Sequence, residues 1–92
     1  MRVRYKARAP RHIEAIHSYI AKGDPGAAAR VVRRIEHSIG RLATLPLSGR
    51  PGVVAGTRIL VVPGLPYVVI YRARNDEVDI IAVLHTARGR RS

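Results

Sequence analysis

The chain has 92 residues, a formal net charge of +11 and no cysteine. Its length allows one domain with a modest core, and the lack of cysteine excludes disulfides and thiolate metal sites. The hydrophobic content of 47% excludes a disordered chain. No apolar run approaches the roughly 20 residues of a membrane span. We therefore expect a single cytoplasmic domain over residues 1–92 with a polyanionic or acidic partner.

The chain begins with a predicted strand and a predicted helix. Residues 2–6 alternate basic and apolar side chains, which is typical of a short strand with one solvent-exposed face. Ile13, Ile16 and Ile20 then recur at helical spacing. Gly23 ends this helix, because glycine is a common residue just after the last helical turn.

A second helix follows after a very short turn. Asp24 is suited to the N-cap and Pro25 to the first helical position, and we expect the helix to run to Pro46. Its apolar stripe consists of Ala28, Val32, Ile35, Ile39 and Leu42. The opposite, exposed face carries Arg30, Arg33, Arg34 and Arg41. Two helices joined by so short a turn form an antiparallel hairpin.

A loop and a strand come next. Residues 47–56 hold three glycines together with Pro51, and this composition predicts a loop. Residues 58–62 are nearly all apolar, which predicts a strand that is buried on both faces.

The last part of the chain predicts a hairpin and a basic tail. Residues 67–72 form the first strand of the hairpin, and Asn75 and Asp76 are suited to its tight turn because both tolerate positive φ. Residues 77–84 form the second strand, and residues 85–92 are basic without an apolar stripe. The alternation in the second strand places on one face Val78, Ile80, Ala82 and Leu84.

The predicted element order is β-α-α-β-β-β. Three consecutive strands joined by turns form an antiparallel meander, and the two helices cover it with their apolar stripes. The expected fold is therefore an α+β domain in which a helical hairpin packs on a small, mostly antiparallel sheet.

The histidines do not form a predicted metal site. His12 and His17 are five positions apart, which differs from the four-residue spacing of a helical metal pair, and His37 lies on the exposed side of its helix. His85 ends the last strand, where both a functional and a structural role stay open. No carboxylate pair and no phosphate-binding motif has the spacing that catalysis requires, so we expect no cofactor and no metal.

Arginines dominate the basic residues. Planar guanidinium groups bind phosphates and carboxylates through paired hydrogen bonds, although they also serve as a solvated surface. Six of them lie at predicted strand ends or in flanking loops: Arg50, Arg58, Arg72, Arg88, Arg90 and Arg91.

Four segments carry a resemblance to a known family: residues 49–51 (GRP), 56–60 (GTRIL), 66–72 (PYVVIYR) and 83–88 (VLHTAR). In this order, and with the predicted β-α-α-β-β-β arrangement, they resemble the RelE/ParE superfamily of type II toxin–antitoxin toxins. The resemblance covers nearly the whole chain. It implies a growth-inhibiting toxin that is neutralised by a cognate acidic antitoxin, whose C-terminal segment folds along the toxin surface.

Single residues distinguish the branches of this superfamily. Its ribosome-dependent mRNA endonucleases carry an arginine where this chain has Val68, and a tyrosine where it has Thr86. The chain is thus more similar to the ParE branch, whose members poison DNA gyrase. Two alternatives stay open: an endonuclease that uses His85, Arg88 and Arg58, and a non-toxic basic protein that binds nucleic acid. The residues expected to contact the target are Arg58, His85, Arg88, Arg50 and Arg72.

Overall fold

The computed structural model describes residues 1–89, and Arg90, Arg91 and Ser92 lie outside the described residues, as does the side chain of Arg88. The elements in chain order are β1 (Arg2–Tyr5), α1 (Arg8–Ala21), α2 (Pro25–Arg41), β2 (Arg50–Pro51), β3 (Arg58–Val61), β4 (Tyr67–Arg74), β5 (Glu77–His85) and α3 (Thr86–Gly89). The predicted order is confirmed, and two short elements are added to it: β2 and the single turn α3.

The helical hairpin begins and ends largely as its sequence predicts. The side chain of Asp24 caps α2 by accepting a hydrogen bond from the backbone N–H of Ala27 at 3.0 Å, and Pro25 is the first helical residue. The prediction that α2 runs to Pro46 is wrong. The helix ends at Arg41, and the chain continues in tighter turns, in which the N–H of Leu42 bonds the carbonyl three residues back.

The five strands form one sheet in the order β1-β5-β4-β3-β2. β1 runs parallel to β5, and the remaining neighbours are antiparallel, so the predicted mostly antiparallel sheet is confirmed. Asn75 and Asp76 have φ values of 51° and 64° and form the predicted tight turn between β4 and β5.

Both long helices pack on the same face of the sheet. Tyr71 in β4 lies beneath them and is the largest of the fully buried side chains. The helices and the central strands meet in a cluster that includes Ile13, Ile35, Ile39, Leu42, Val69, Tyr71, Val78, Ile80 and Val83.

A β-bulge changes the face pattern of β5. Tyr71 lies opposite Ile80, whereas Ile70 lies opposite Ala82, so β5 has one extra residue at this point. The extra residue reverses the alternation of side chains beyond it. The prediction that Leu84 shares the core face with Ile80 is therefore wrong, and Val83 faces the core instead.

Two expectations about the segment before β4 are also wrong. Residues 50–51 form the short strand β2 inside the predicted loop, where Arg50 lies opposite Ile59. β3 is not buried on both faces, since Val61 is 47% exposed. The reason is that both long helices cover the other face of the sheet. Within residues 1–89, no helix is long and apolar enough to cross a membrane.

Candidate functional site at the carboxyl end of β5

His85 lies at the end of β5 on the helix-covered face of the sheet. It is directly opposite Tyr67, the first residue of β4. The two rings meet edge to face, with their centroids 5.4 Å apart and their planes at 90°. The Nδ1 atom of His85 accepts a hydrogen bond from the backbone N–H of Ala87 at 3.1 Å. The ring therefore carries its proton on Nε2, which leaves that nitrogen as a donor.

The bulge and α1 together create a cleft beside this ring. The cleft has a volume of about 620 Å³. Because the bulge turns Val83 and His85 toward the helices, the end of β5 faces one stripe of α1. The cleft is lined mainly by His12, Ile16, Tyr19, Tyr67, Val83 and His85.

His12 completes the edge of β5 within this cleft. β1 ends at Tyr5, which pairs with Ile80, so β5 continues beyond its parallel neighbour. The Nδ1 atom of His12 accepts the backbone N–H of Val83 at 3.1 Å. The imidazole thus takes the place of a strand partner and satisfies a backbone donor that is partly buried. Its Nε2 atom carries the proton, as in His85.

The cleft is suited to binding a hydrogen-bond acceptor. Two imidazole Nε2–H groups and the phenol of Tyr19, a residue that is 67% exposed, line it. Among its described lining residues there is no arginine and no lysine. RNA cleavage by attack of a 2′-oxygen requires proton transfer together with stabilisation of phosphate charge. The described lining supplies groups for the first requirement.

Arg58 lies away from the cleft. It is opposite Tyr71, four positions along β4 from the partner of His85, which is roughly 14 Å at the rise of a strand. Its guanidinium Nη1 donates to the carbonyl of Gly49 at 2.7 Å and approaches the carbonyl of Leu47 at 3.5 Å. Its hydrogen bonds hold the segment that follows α2.

Tyr71 holds the same segment from inside the core. Its hydroxyl donates to the carbonyl of Pro46 at 2.7 Å and accepts the backbone N–H of Gly49 at 2.9 Å. A Cβ atom on Gly49 would lie 2.8 Å from the Tyr71 ring and from the carbonyl of Ile59, so only glycine fits there. We call Arg58, Tyr71 and residues 46–49 the loop anchor.

The remaining candidates are also spread over the structure. Arg50 is exposed on β2, and Arg72 lies opposite Asp79 on the sheet face that the helices leave open. The backbone of Arg88 is in α3, three residues after His85, while its side chain lies outside the described part of the chain. Of the five candidates, the structure places only His85 in the described lining of the cleft.

The sequence reasoning missed the contribution of α1 to this cleft. His12 was considered only as a metal ligand paired with His17. The signal that identifies its role is the spacing of His12, Ile16 and Tyr19, which are four and seven positions apart and therefore share one helix face.

Residues 3–89 match the sequence profile of the family described as the ParE toxin of the type II toxin–antitoxin system parDE. The chain belongs to this family. It is 48% identical over 84 residues to Y4kP of Sinorhizobium fredii, a candidate toxin by its name, covering 91% of this chain and 86% of that protein. It is 35% identical over 81 residues to toxin RelE2 of Caulobacter vibrioides, covering 88% and 90%.

The ParE fold is also found in a solved structure. A chain of the chromosomal ParDE toxin–antitoxin system from P. aeruginosa superimposes with a TM-score of 0.82. The match covers 92% of this chain and 95% of that one at 24% identity, which establishes the shared fold. This α+β chain is therefore a toxin of the ParE/RelE family of type II toxin–antitoxin systems.

Proposed function

We propose that this ParE-family toxin inhibits growth in the cytoplasm by binding and poisoning DNA gyrase, without catalysing a reaction itself. The observation that carries the proposal is the cleft at the end of β5, where the imidazole of His85 lies beside the apolar side chains of Ile16 and Val83. Such a cleft can bind an acceptor group on a partner through the Nε2–H of His85.

A second observation supports contact with a protein rather than catalysis on RNA. Val68 occupies the position after the first tyrosine of β4, and it lies opposite Val61 and Leu84 on the open face of the sheet. An apolar side chain there contributes to a protein-binding surface and offers nothing to a phosphate group.

We also propose that a cognate acidic antitoxin neutralises the toxin by covering this open face. Val61 is 47% exposed, and its half-buried apolar neighbours on the same face are Ile59, Val68, Ile70 and Leu84. An amphipathic segment can bury these side chains while its acidic residues meet the net charge of +11. The antitoxin would then cover the apolar side chains of the open face, which the toxin alone leaves partly exposed.

An alternative is a ribosome-dependent mRNA endonuclease. The 35% identity to toxin RelE2 and the imidazole at the cleft favour it. In that reading His85 transfers a proton and Arg88 stabilises the phosphate.

The test is a supercoiling assay with purified toxin, DNA gyrase, relaxed plasmid and ATP. We expect the toxin to inhibit supercoiling and to trap cleaved DNA. His85→Ala should weaken this inhibition about tenfold, because the complex loses one buried hydrogen bond. His17→Ala, an exposed histidine on α1, is the matched control. Unimpaired supercoiling together with mRNA cleavage in a translating extract would replace the gyrase proposal by the endonuclease.

A further inference from the structure

The exposed face of α2 forms a second feature that is separate from the cleft. A groove with a volume of about 820 Å³ runs between this face and the turn after β3. None of its lining residues lines the cleft beside His85. We call it the arginine groove, and its charged and polar wall consists mainly of Arg30, Arg33, Arg34, His37 and Arg41.

One of these arginines is fixed in place by the backbone. The Nη2 atom of Arg34 donates to the carbonyl of Pro63 at 2.6 Å. The next residue is Gly64, whose φ is 74°, and a Cβ atom there would lie 2.8 Å from the same Nη2 atom. The glycine therefore leaves room for the guanidinium to dock on the turn. Docking uses one of five donors, and the pre-ordered group keeps the others for a ligand.

The spacing of the arginines matches a long, straight polyanion. Arg30, Arg34 and Arg41 are separated by four and seven positions, so they lie along one helix face with Arg33 beside them. From Arg30 to Arg41 the helix rises roughly 16 Å at about 1.5 Å per residue. This length corresponds to about five base pairs of duplex DNA at 3.4 Å each.

The composition of the groove selects among polyanions. The one aromatic ring among its described lining residues is the imidazole of His37, which argues against a single strand, whose successive bases stack on several rings. Val62 is only 1% exposed, so Pro63 is the main apolar surface available. An acidic amphipathic helix requires apolar contacts for several of its side chains, whereas Val62 and Pro63 are the two apolar residues among the described lining. A phosphate backbone requires only the guanidinium groups.

We propose that the arginine groove binds the phosphate backbone of duplex DNA without reading its sequence. The biological role of this contact rests on the proposed function. If the toxin poisons gyrase, the duplex in the groove is the DNA segment that gyrase binds. A toxin that contacts enzyme and DNA together gains avidity for the complex over either component alone. Among the described residues that line the groove, Glu36 is the one acidic residue, and its carboxylate lowers the positive potential near it.

The binding test uses toxin and DNA alone, so its outcome does not depend on the gyrase proposal. A labelled duplex of mixed sequence is titrated with toxin over a series of salt concentrations. Four arginine contacts predict a slope of about −3.6 for log K against log salt, or a loss of about 150-fold between about 50 and 200 mM. Arg30→Gln/Arg33→Gln is expected to reduce the slope by about 2 and to weaken binding at least about tenfold at low salt.

The matched control removes the same charge elsewhere. Arg8→Gln/Lys22→Gln changes two exposed basic residues at the ends of α1, outside the groove. An unchanged slope in this control supports the groove, whereas an equal reduction would reassign the binding to diffuse charge. Two further ligands are tested: a DNA single strand and a poly-glutamate peptide. The proposal of duplex DNA is wrong if either one binds as tightly as the duplex and is weakened equally by Arg30→Gln/Arg33→Gln. It is also wrong if the duplex does not bind at low salt.

Discussion

The loop anchor around Tyr71 and the cleft around His85 lie on the same face of one sheet, but they use polar groups in different ways. In the loop anchor, the hydroxyl of Tyr71 and the guanidinium of Arg58 bond to backbone atoms of residues 46–49. In the cleft, His85 bonds to the backbone through Nδ1, which places its N–H on Nε2. Polar residues at strand ends therefore differ in how many of their atoms bond to the backbone.

The largest expected effect is on the loop anchor, from Gly49→Ala. The new methyl group would lie 2.8 Å from the Tyr71 ring and from the carbonyl of Ile59, so buried groups must shift. We expect the free energy of unfolding to fall by about 3 kcal/mol, as measured by urea denaturation.

Gly40→Ala provides the matched control. Gly40 lies inside α2 with no atom within 4 Å of the added Cβ position, so the same chemical change meets open space. We expect it to stabilise the protein by about 0.5–1 kcal/mol, because alanine favours the helix. If both substitutions changed stability equally, the close approach at Gly49 would not be a constraint of the fold.

Tyr71→Phe tests the hydrogen bonds of the loop anchor without removing the ring. The N–H of Gly49 and the carbonyl of Pro46 both lose their partner in or near the core. We expect a loss of about 2 kcal/mol in the free energy of unfolding. Tyr19→Phe, at a residue that is largely exposed, is expected to change stability by less than about 0.5 kcal/mol. A small effect of Tyr71→Phe would show that packing and the hydrogen bonds of Arg58 hold residues 46–49 without the Tyr71 hydroxyl.

Alanine substitutions at Arg58 and His85 are expected to lower gyrase inhibition for different reasons. Arg58→Ala removes a hydrogen bond to the carbonyl of Gly49 and is expected to lower the free energy of unfolding by about 1 kcal/mol. Its loss of gyrase inhibition should follow the loss of folded protein and recover on cooling. His85→Ala should lower inhibition even under conditions in which the variant is fully folded. Inhibition that is lost in fully folded Arg58→Ala would return Arg58 to the surface that contacts the target.

Local features were predictable from the sequence and distant contacts were not. The cap at Asp24 and the turn at Asn75 and Asp76 depend on neighbouring residues, and the structure confirms both. The bond between Tyr71 and Gly49 spans 22 positions, and its presence depends on how the segment after α2 returns to the sheet. The bulge in β5 could not be predicted either. Residues 80–84 are all apolar, so the sequence does not show where the alternation of the two faces is interrupted.

The same distinction applies to the candidate site. The position of His85 at the end of a strand singled it out in the sequence, and the structure places it in a cleft. Arg58 had the same signal at the start of a strand, but one of its guanidinium nitrogens, Nη1, bonds to the loop anchor, and the side chain lies away from the cleft. His12 had no such signal, since it contacts Val83 across 71 positions of sequence. Sequence patterns identify where polar groups end a strand, and only the folded chain shows which of them lie in a cleft.

An effect of similar size is expected at His12, which lies in the cleft but bonds to the backbone as the residues of the loop anchor do. His12→Ala leaves the N–H of Val83 without its acceptor, and we expect a loss of about 1 kcal/mol in the free energy of unfolding. His12→Asn should recover most of it, because an amide oxygen can occupy nearly the same place as Nδ1. If asparagine restores stability and gyrase inhibition together, His12 supports the edge of β5 and acts through position alone. If stability returns and inhibition does not, the Nε2–H of His12 contacts the target, and the cleft then presents two donors to its partner.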